Sequence, residues 1–430
     1  MKLHHFKNLA LMYGWQISNY ILSFLLLPYL ARTLNTSGFG VYAYCVGINA
    51  YLWILIEWGF PIGGMREVAT KRDDHEALQK TYWKIIYSKL TLIIPATALL
   101  AVLALSSAPG IRQIVFISGF MTIVGASLAS DWFAQGVEKL DRFVSISLAA
   151  RIAVTLLTFF MIRGEDDANL AAMLHGLFGL SSGLAGFLVI TITYRFRPVR
   201  ERLADITASI SAHFSLFLAR SNNTLYIAAP PIVLGLVAST AEVGIYSGAD
   251  KIARICAMLI GPASLVVMPR IFASMNESNQ AAARISGQFL LIQMAMTLPM
   301  TVGLFAFAPW IVQIVLGPGF EDSVHILRLL SPVPMLIALA GALNNQFLVP
   351  LKLDRKLAVL SLTCALLYVA ALITLATQFE AAGAGLALIL IEVLMIVGAL
   401  TIVMRADRTY MRDAWTGMRN FNPMKLLRGS

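Results

Sequence analysis

Stretches of about 20 apolar residues, each long enough to cross a bilayer as a helix, recur twelve times along this 430-residue chain. They fall near 9–30, 40–60, 84–106, 113–134, 143–162, 170–194, 212–236, 243–267, 286–309, 324–349, 357–377 and 382–404, each bounded by charge, glycine or proline. Hydrophobic residues make up 58% of the chain and charged residues 13%, against about 45–50% and about 25% in a soluble domain. A water-soluble enzyme, a disordered chain and a fibrous repeat are excluded. The expectation is an all-α integral membrane protein of about twelve transmembrane helices. The apolar N-terminal run continues to Leu30 without a small-x-small cleavage site, so it reads as a first span rather than a removable signal.

The net charge of +10 would suggest nucleic acid in a soluble protein. Here the cations sit in short loops between apolar runs, which points to membrane orientation and to no nucleic-acid partner. With the N-terminus cytoplasmic, 25 of the 33 Lys and Arg fall in inner segments and only Arg32, Arg112 and Arg163 in outer ones. That asymmetry places both termini in the cytoplasm and makes the number of spans even. The inner count includes Lys84 and Lys89 at the start of the third span.

The two halves resemble each other at an offset of about 204 residues: FGVYAYCVGI (39–48) aligns with VGIYSGADKI (243–252), Arg66 with Arg270, Pro95 with Pro299 and Asn19 with Asn223. The offset later drifts to 213, where KLDR recurs at 139–142 and 352–355. Six spans per half is an even number, so the repeats are parallel, and such repeats commonly hold substrate at their interface near the midplane. The expected organisation is a six-helix lobe over 1–204, a second over 205–404, a central cavity, and a basic cytoplasmic tail over 405–430.

Charge at lipid depth is costly and marks function or internal pairing. The deep set is Arg151, Arg220, Asp250, Lys251, Arg254 and Glu392. Asp250, Lys251 and Arg254 share one stripe of the eighth span, and Asp250 and Arg254 form an i,i+4 pair with the acid first, the favoured order. Arg220 and Asn223 on the seventh span match Gln16 and Asn19 on the first, which reads as a polar stripe at equal depth in both halves. Arg151, Arg220, Lys251 and Arg254 are the candidate cavity cations, and Gln16, Asn19 and Asn223 the candidate neutral polar contacts. Asp250 and Glu392 are candidates for ion coupling. Internal pairing that only supports packing is the competing reading for Asp250 with Arg254, for Glu392 and for Arg151. Glu57 and Asp131 are expected near inner span ends, paired with Arg66 or Lys139.

Pro230 and Pro231 with Gly235 interrupt the seventh span and form the best hinge candidate, static curvature being the alternative. Cys45, Cys256 and Cys364 lie within apolar runs and read as packing residues, not a disulfide or metal set. The sequence holds no Walker A motif and no zinc spacing, so no cofactor or metal is expected. No outer loop is large enough for a catalytic domain, so no catalytic residue is assigned.

The order LLPYLARTLNTSGFGVYAY (26–44), EWGFPIGGMREVATKR (57–72) and DWFAQGVEKLDRF (131–143), continued by AEVGIYSGADKIARI (241–255) and Pro269–Arg270, resembles the bacterial Wzx-type flippases of lipid-linked oligosaccharides. These are members of the multidrug/oligosaccharidyl-lipid/polysaccharide exporter (MOP) superfamily. The resemblance implies a transporter of the bacterial inner membrane, not an enzyme. It implies that an undecaprenyl-diphosphate-linked oligosaccharide moves from the cytoplasmic to the periplasmic leaflet by alternating access, for O-antigen or a related surface glycan. It further implies coupling to a proton or sodium gradient, and polysaccharide polymerase and chain-length proteins as partners. The alternatives are a multidrug or metabolite exporter of the same superfamily and a membrane glycan polymerase or ligase.

Overall fold

Apolar runs without β-strand alternation form helices, since a backbone in lipid must satisfy its own hydrogen bonds. A computed structural model describes residues 2–138, 141–258 and 261–421, with side chains outside 2–21, 23, 141, 223 and 261–266. Every regular element among the described residues is helical. The first part holds α1 (Lys2–Glu57), α2 (Phe60–Ala69), α3 (His75–Ser106), α4 (Arg112–Leu128), α5 (Asp131–Gly136), α6 (Asp141–Met161), α7 (Ala168–Tyr194), α8 (Leu203–Ala212) and α9 (Phe214–Val237). After it come α10 (Thr240–Met258), α11 (Gly261–Met275), α12 (Asn279–Ala306), α13 (Ala308–Val315), α14 (Ser323–Leu330), α15 (Val333–Ala342), a π-helical turn (Leu343–Leu348), α16 (Asp354–Ala406) and α17 (Arg408–Arg419).

Eight helices among the described residues are long and apolar enough to cross a membrane. Two of them, α1 with 56 residues and α16 with 53, far exceed the roughly 20 that one crossing needs. Each is broken once by a residue in the left-handed region, Asn35 (φ 54°) and Glu380 (φ 48°). That backbone is strained for any residue with a side chain, and Asn35 uses its side chain there. Its Oδ1 accepts from the Gly38 amide at 2.9 Å, and its Nδ2 donates to Glu165 at 2.7 Å. Helix α1 is thus kinked at a hydrogen-bonded turn.

One compact unit contains the chain up to Gly244 together with Val315–Gly319; the other contains Ile245–Ile314 and the chain from Phe320. In the first unit α4 and α7 meet through glycines: a methyl on Gly125 would strike the Gly179 carbonyl, and one on Gly183 the Gly125 carbonyl. Small residues allow backbones to approach this closely, which is how helices associate where lipid supplies no hydrophobic drive.

The same unit brings residues 204 positions apart into contact. A methyl on Gly40 would strike the Thr240 carbonyl oxygen, and a methyl on Gly244 the Thr36 carbonyl oxygen. Gly40 with Gly244 and Thr36 with Thr240 are equivalent at the 204-residue offset. The crossing is therefore reciprocal, as a contact between two-fold related surfaces must be. Helix α9, drawn from the second repeat, packs along α1 in this unit, with Pro231 against Gly47 and Gly235 against the Tyr44 ring.

Candidate functional site

Polar side chains form a cluster within each unit. In the first, Glu57 ends α1 and is 3% exposed, where the sequence suggested an interfacial position beside Arg66 or Lys139. Its partners are instead Arg220 of α9 at 3.2 Å and Lys89 of α3 at 4.0 Å. The correction has a geometric cause. Tyr82, Ile85, Lys89, Leu92 and Ala96 recur at three- and four-residue spacing, and all five are buried. Lys89 thus belongs to the packed stripe of α3 and not to the inner loop in which it was counted. That i,i+3/i+4 pattern is the signal that would have found it.

Lys89 is completely buried and also donates to the carbonyls of Ala129 at 2.8 Å and Ala126 at 3.3 Å. These carbonyls end α4, which stops two residues before the short helix α5. A cation there meets the negative end of the helix dipole and adds a charged donor to the carbonyls at that end. Arg220 differs in one respect: its side chain is 30% exposed while its partner Glu57 is 4% exposed. One end of this ion pair is sealed and the other is open. Ser221 Oγ and Asn222 Oδ1, beside Arg220 in sequence, are buried without a hydrogen-bond partner among the described residues.

Arg151 of α6 belongs to a separate group, its guanidinium 4.8 Å from the centre of the Phe178 ring, a cation–π arrangement. On the neighbouring helices Tyr42 and His175 stand edge to face, and Asn49 lies 3.3 Å from His175.

In the second unit the i,i+4 pair is formed as the spacing requires. Arg254 Nε donates to both oxygens of Asp250, at 2.7 and 2.9 Å, and the Tyr246 hydroxyl lies 3.4 Å from Asp250. Glu392, on the second arm of α16, lies within electrostatic reach of Arg254. Lys251 follows Asp250 on α10 and is partly exposed. Gln16, Asn19 and Asn223 stand on helices, but their side chains lie outside the described residues. Pro230 is buried and Pro231 packs on α1, with α9 remaining helical through both. Glu57 and Lys89 are the members that the sequence reading did not select.

The architecture defines a class, a polytopic helical membrane protein with the fold of the MOP superfamily. The lipid II flippase MurJ, in an inward closed conformation, superposes with a TM-score of 0.69 at 11% identity, over 96% of this chain and 95% of its own. An inward-facing multidrug resistance MATE family transporter of the MOP superfamily gives 0.62 at 14% identity, over 91% and 98%. At such identities the likeness is one of fold.

Sequence carries the identification further. The model of the family described as polysaccharide biosynthesis protein matches residues 6–275, more than half of the chain, and the chain belongs to that family. Two curated relatives are each named "Putative O-antigen transporter". The protein of Escherichia coli (strain K12) is 26% identical over 400 residues, covering 92% of this chain and 95% of its own. That of Shigella dysenteriae is 23% identical over 398 residues, covering 92% and 99%. The resemblance to Wzx-type flippases is borne out, and with it a multi-pass membrane transporter rather than an enzyme.

Proposed function

We propose that the chain is a flippase that carries a polyprenyl-diphosphate-linked oligosaccharide across the bacterial inner membrane, from the cytoplasmic to the periplasmic leaflet, for O-antigen or a related glycan. Counting α1 and α16 as two crossings each and adding α9 and α10 brings the eight apolar helices to twelve crossings, six per repeat. The lobes open alternately to either side, both termini stay cytoplasmic, and the Pro230–Pro231–Gly235 segment is the hinge.

The observation that carries this reading is Arg220, an arginine at lipid depth whose partner is sealed while its own side chain stays partly open. An incoming diphosphate shares Arg220 with Glu57, and Lys251, Arg254 and Arg151 are the further candidate cations. In a low-dielectric passage such attraction far exceeds its value in water. Gln16, Asn19 and Asn223 offer hydrogen bonds to sugars, and Asp250 or Glu392 couples a proton or sodium ion. Adding Lys89 and Glu57 to the deep charges leaves their excess at two positive. That sign opposes a drug-cation exporter, which needs acidic groups at depth.

The test is complementation of a strain that lacks its flippase. Arg220→Ala, Lys251→Ala and Arg254→Ala should each lower surface glycan at normal protein level, with lipid-linked repeat units trapped in the inner leaflet. Normal glycan with all three replaced together would refute the cationic role. A changed drug-susceptibility profile with unchanged glycan would favour the exporter reading.

A further inference from the structure

The chain does not end its ordered structure where its last long apolar helix stops. One residue after α16, Asp407 opens α17, its Oδ1 accepting from the amides of Thr409 and Tyr410 at 2.9 and 3.0 Å. Helix α17 lies against the start of α12. Tyr410, Ala414 and Gly417 are buried. Methyls on Gly287 and Gly417 would strike the carbonyls of Ala414 and Arg284, and the Tyr410 hydroxyl lies 3.2 Å from Ser286 Oγ. The helix is docked, and its rotation about its own axis is fixed.

That fixed rotation determines what faces outward. At about 100° per residue, Arg412, Trp415 and Arg419 fall within about 40° of Arg408. The stripe lies opposite Tyr410, Ala414 and Gly417. All four members are exposed, Trp415 at 67%. Both acids of the segment are engaged away from the stripe, Asp407 at the helix cap and Asp413 with Gln280 Nε2 at 3.3 Å. The outward face thus carries three guanidiniums around one indole, with Arg405 in the last turn of α16 beside it. A single-residue link to a membrane-spanning helix holds this face at headgroup depth, where tryptophan and arginine are favoured.

We propose that α17 is a membrane-surface helix whose Arg408, Arg412 and Arg419 bind anionic phospholipid headgroups of the leaflet at which α16 emerges, while Trp415 enters the headgroup–acyl boundary. Charge complementarity selects this occupant: the stripe is purely cationic, and anionic lipid is the partner that bilayer geometry brings to it. Since α17 is packed on α12, headgroup binding also fixes the end of α12 relative to the bilayer surface.

The experiment uses the full chain in nanodiscs. Trp415→Cys, in a background with Cys45→Ala, Cys256→Ala and Cys364→Ala, carries an environment-sensitive fluorophore. Nanodiscs contain either phosphatidylcholine alone or a mixture with phosphatidylglycerol. The expected result is strong quenching by brominated acyl chains and weak quenching by aqueous iodide, both more marked with phosphatidylglycerol. Arg408→Gln/Arg412→Gln/Arg419→Gln should abolish that lipid dependence. Hydrogen exchange of Arg408–Arg419 in the unaltered chain should be slower with phosphatidylglycerol, which tests the proposal without substitutions. Full iodide access in both lipids, equal bromolipid quenching in both, or protection from both quenchers by a protein partner would each overturn it.

Discussion

The two charge clusters are built on opposite principles. Asp250 and Arg254 sit one turn apart on α10 and meet because the helix repeats every 3.6 residues. Glu57, Lys89 and Arg220 come from α1, α3 and α9, and Arg220 lies 163 positions beyond its partner. The first arrangement exists wherever α10 is helical. The second exists only when three helices are packed. The difference assigns different consequences to the same kind of substitution.

Removing Glu57 should have the largest effect. Glu57→Ala leaves Lys89 fully buried without its carboxylate, and breaking a buried pair on one side costs about 3–5 kcal/mol. Thermal unfolding in detergent should show the loss, with lower protein level in membranes. Glu57→Gln combined with Lys89→Met removes both charges, so the pair should cost less than the two single losses added. A double-mutant cycle with no coupling would break the distinction, since it would mean that the long-range cluster is no more interdependent than a surface pair.

Asp250→Asn should cost less, about 2 kcal/mol, the range of a hydrogen bond to a charged group. Arg254 remains partly exposed, with 12% of its side chain accessible. Helix content by circular dichroism should be unchanged, because both partners lie on α10 and its backbone hydrogen bonds do not depend on them. A loss equal to that of Glu57→Ala would erase the contrast.

The smallest effect tests a local device at its limit. Asp407 caps α17, and Asp407→Ala should cost about 1 kcal/mol, read as faster hydrogen exchange confined to Arg408–Arg419. The Thr409 hydroxyl, followed by the Tyr410 amide, holds the Asp407 carboxyl below the usual carboxylate range. Its stabilisation is therefore complete above the ordinary aspartate value of about 3.9 and fades as pH falls through the lowered one. The protection factors of α17 amides in the unaltered chain, which allow for the base-catalysed intrinsic rate, should not change from pH 7 to pH 5. A change in that window would assign the cap to another group.

Much of the candidate site was legible along one helix at a time. The Asp250–Arg254 pair needed only the i,i+4 rule. The equivalence of Gly40 with Gly244 needed only the repeat, and the structure shows the two meeting. Nearby charge places Glu57 and Lys89 at span ends, whereas the burial of Lys89 is set by the α3 stripe and by the carbonyls that end α4. The region read as a basic tail contains a docked helix at 408–419, for which Gly287 and Gly417 give no signal until their helices are known to touch.

The sequence by itself determined the helical membrane character and the pairing of Asp250 with Arg254, because length, apolarity and the 3.6-residue period act through the local backbone. Only the tertiary structure decided that Glu57 faces Lys89 and Arg220, and that α17 turns its arginines outward. Those outcomes depend on which helix faces meet, and partners distant in the chain are set by packing shape rather than by spacing.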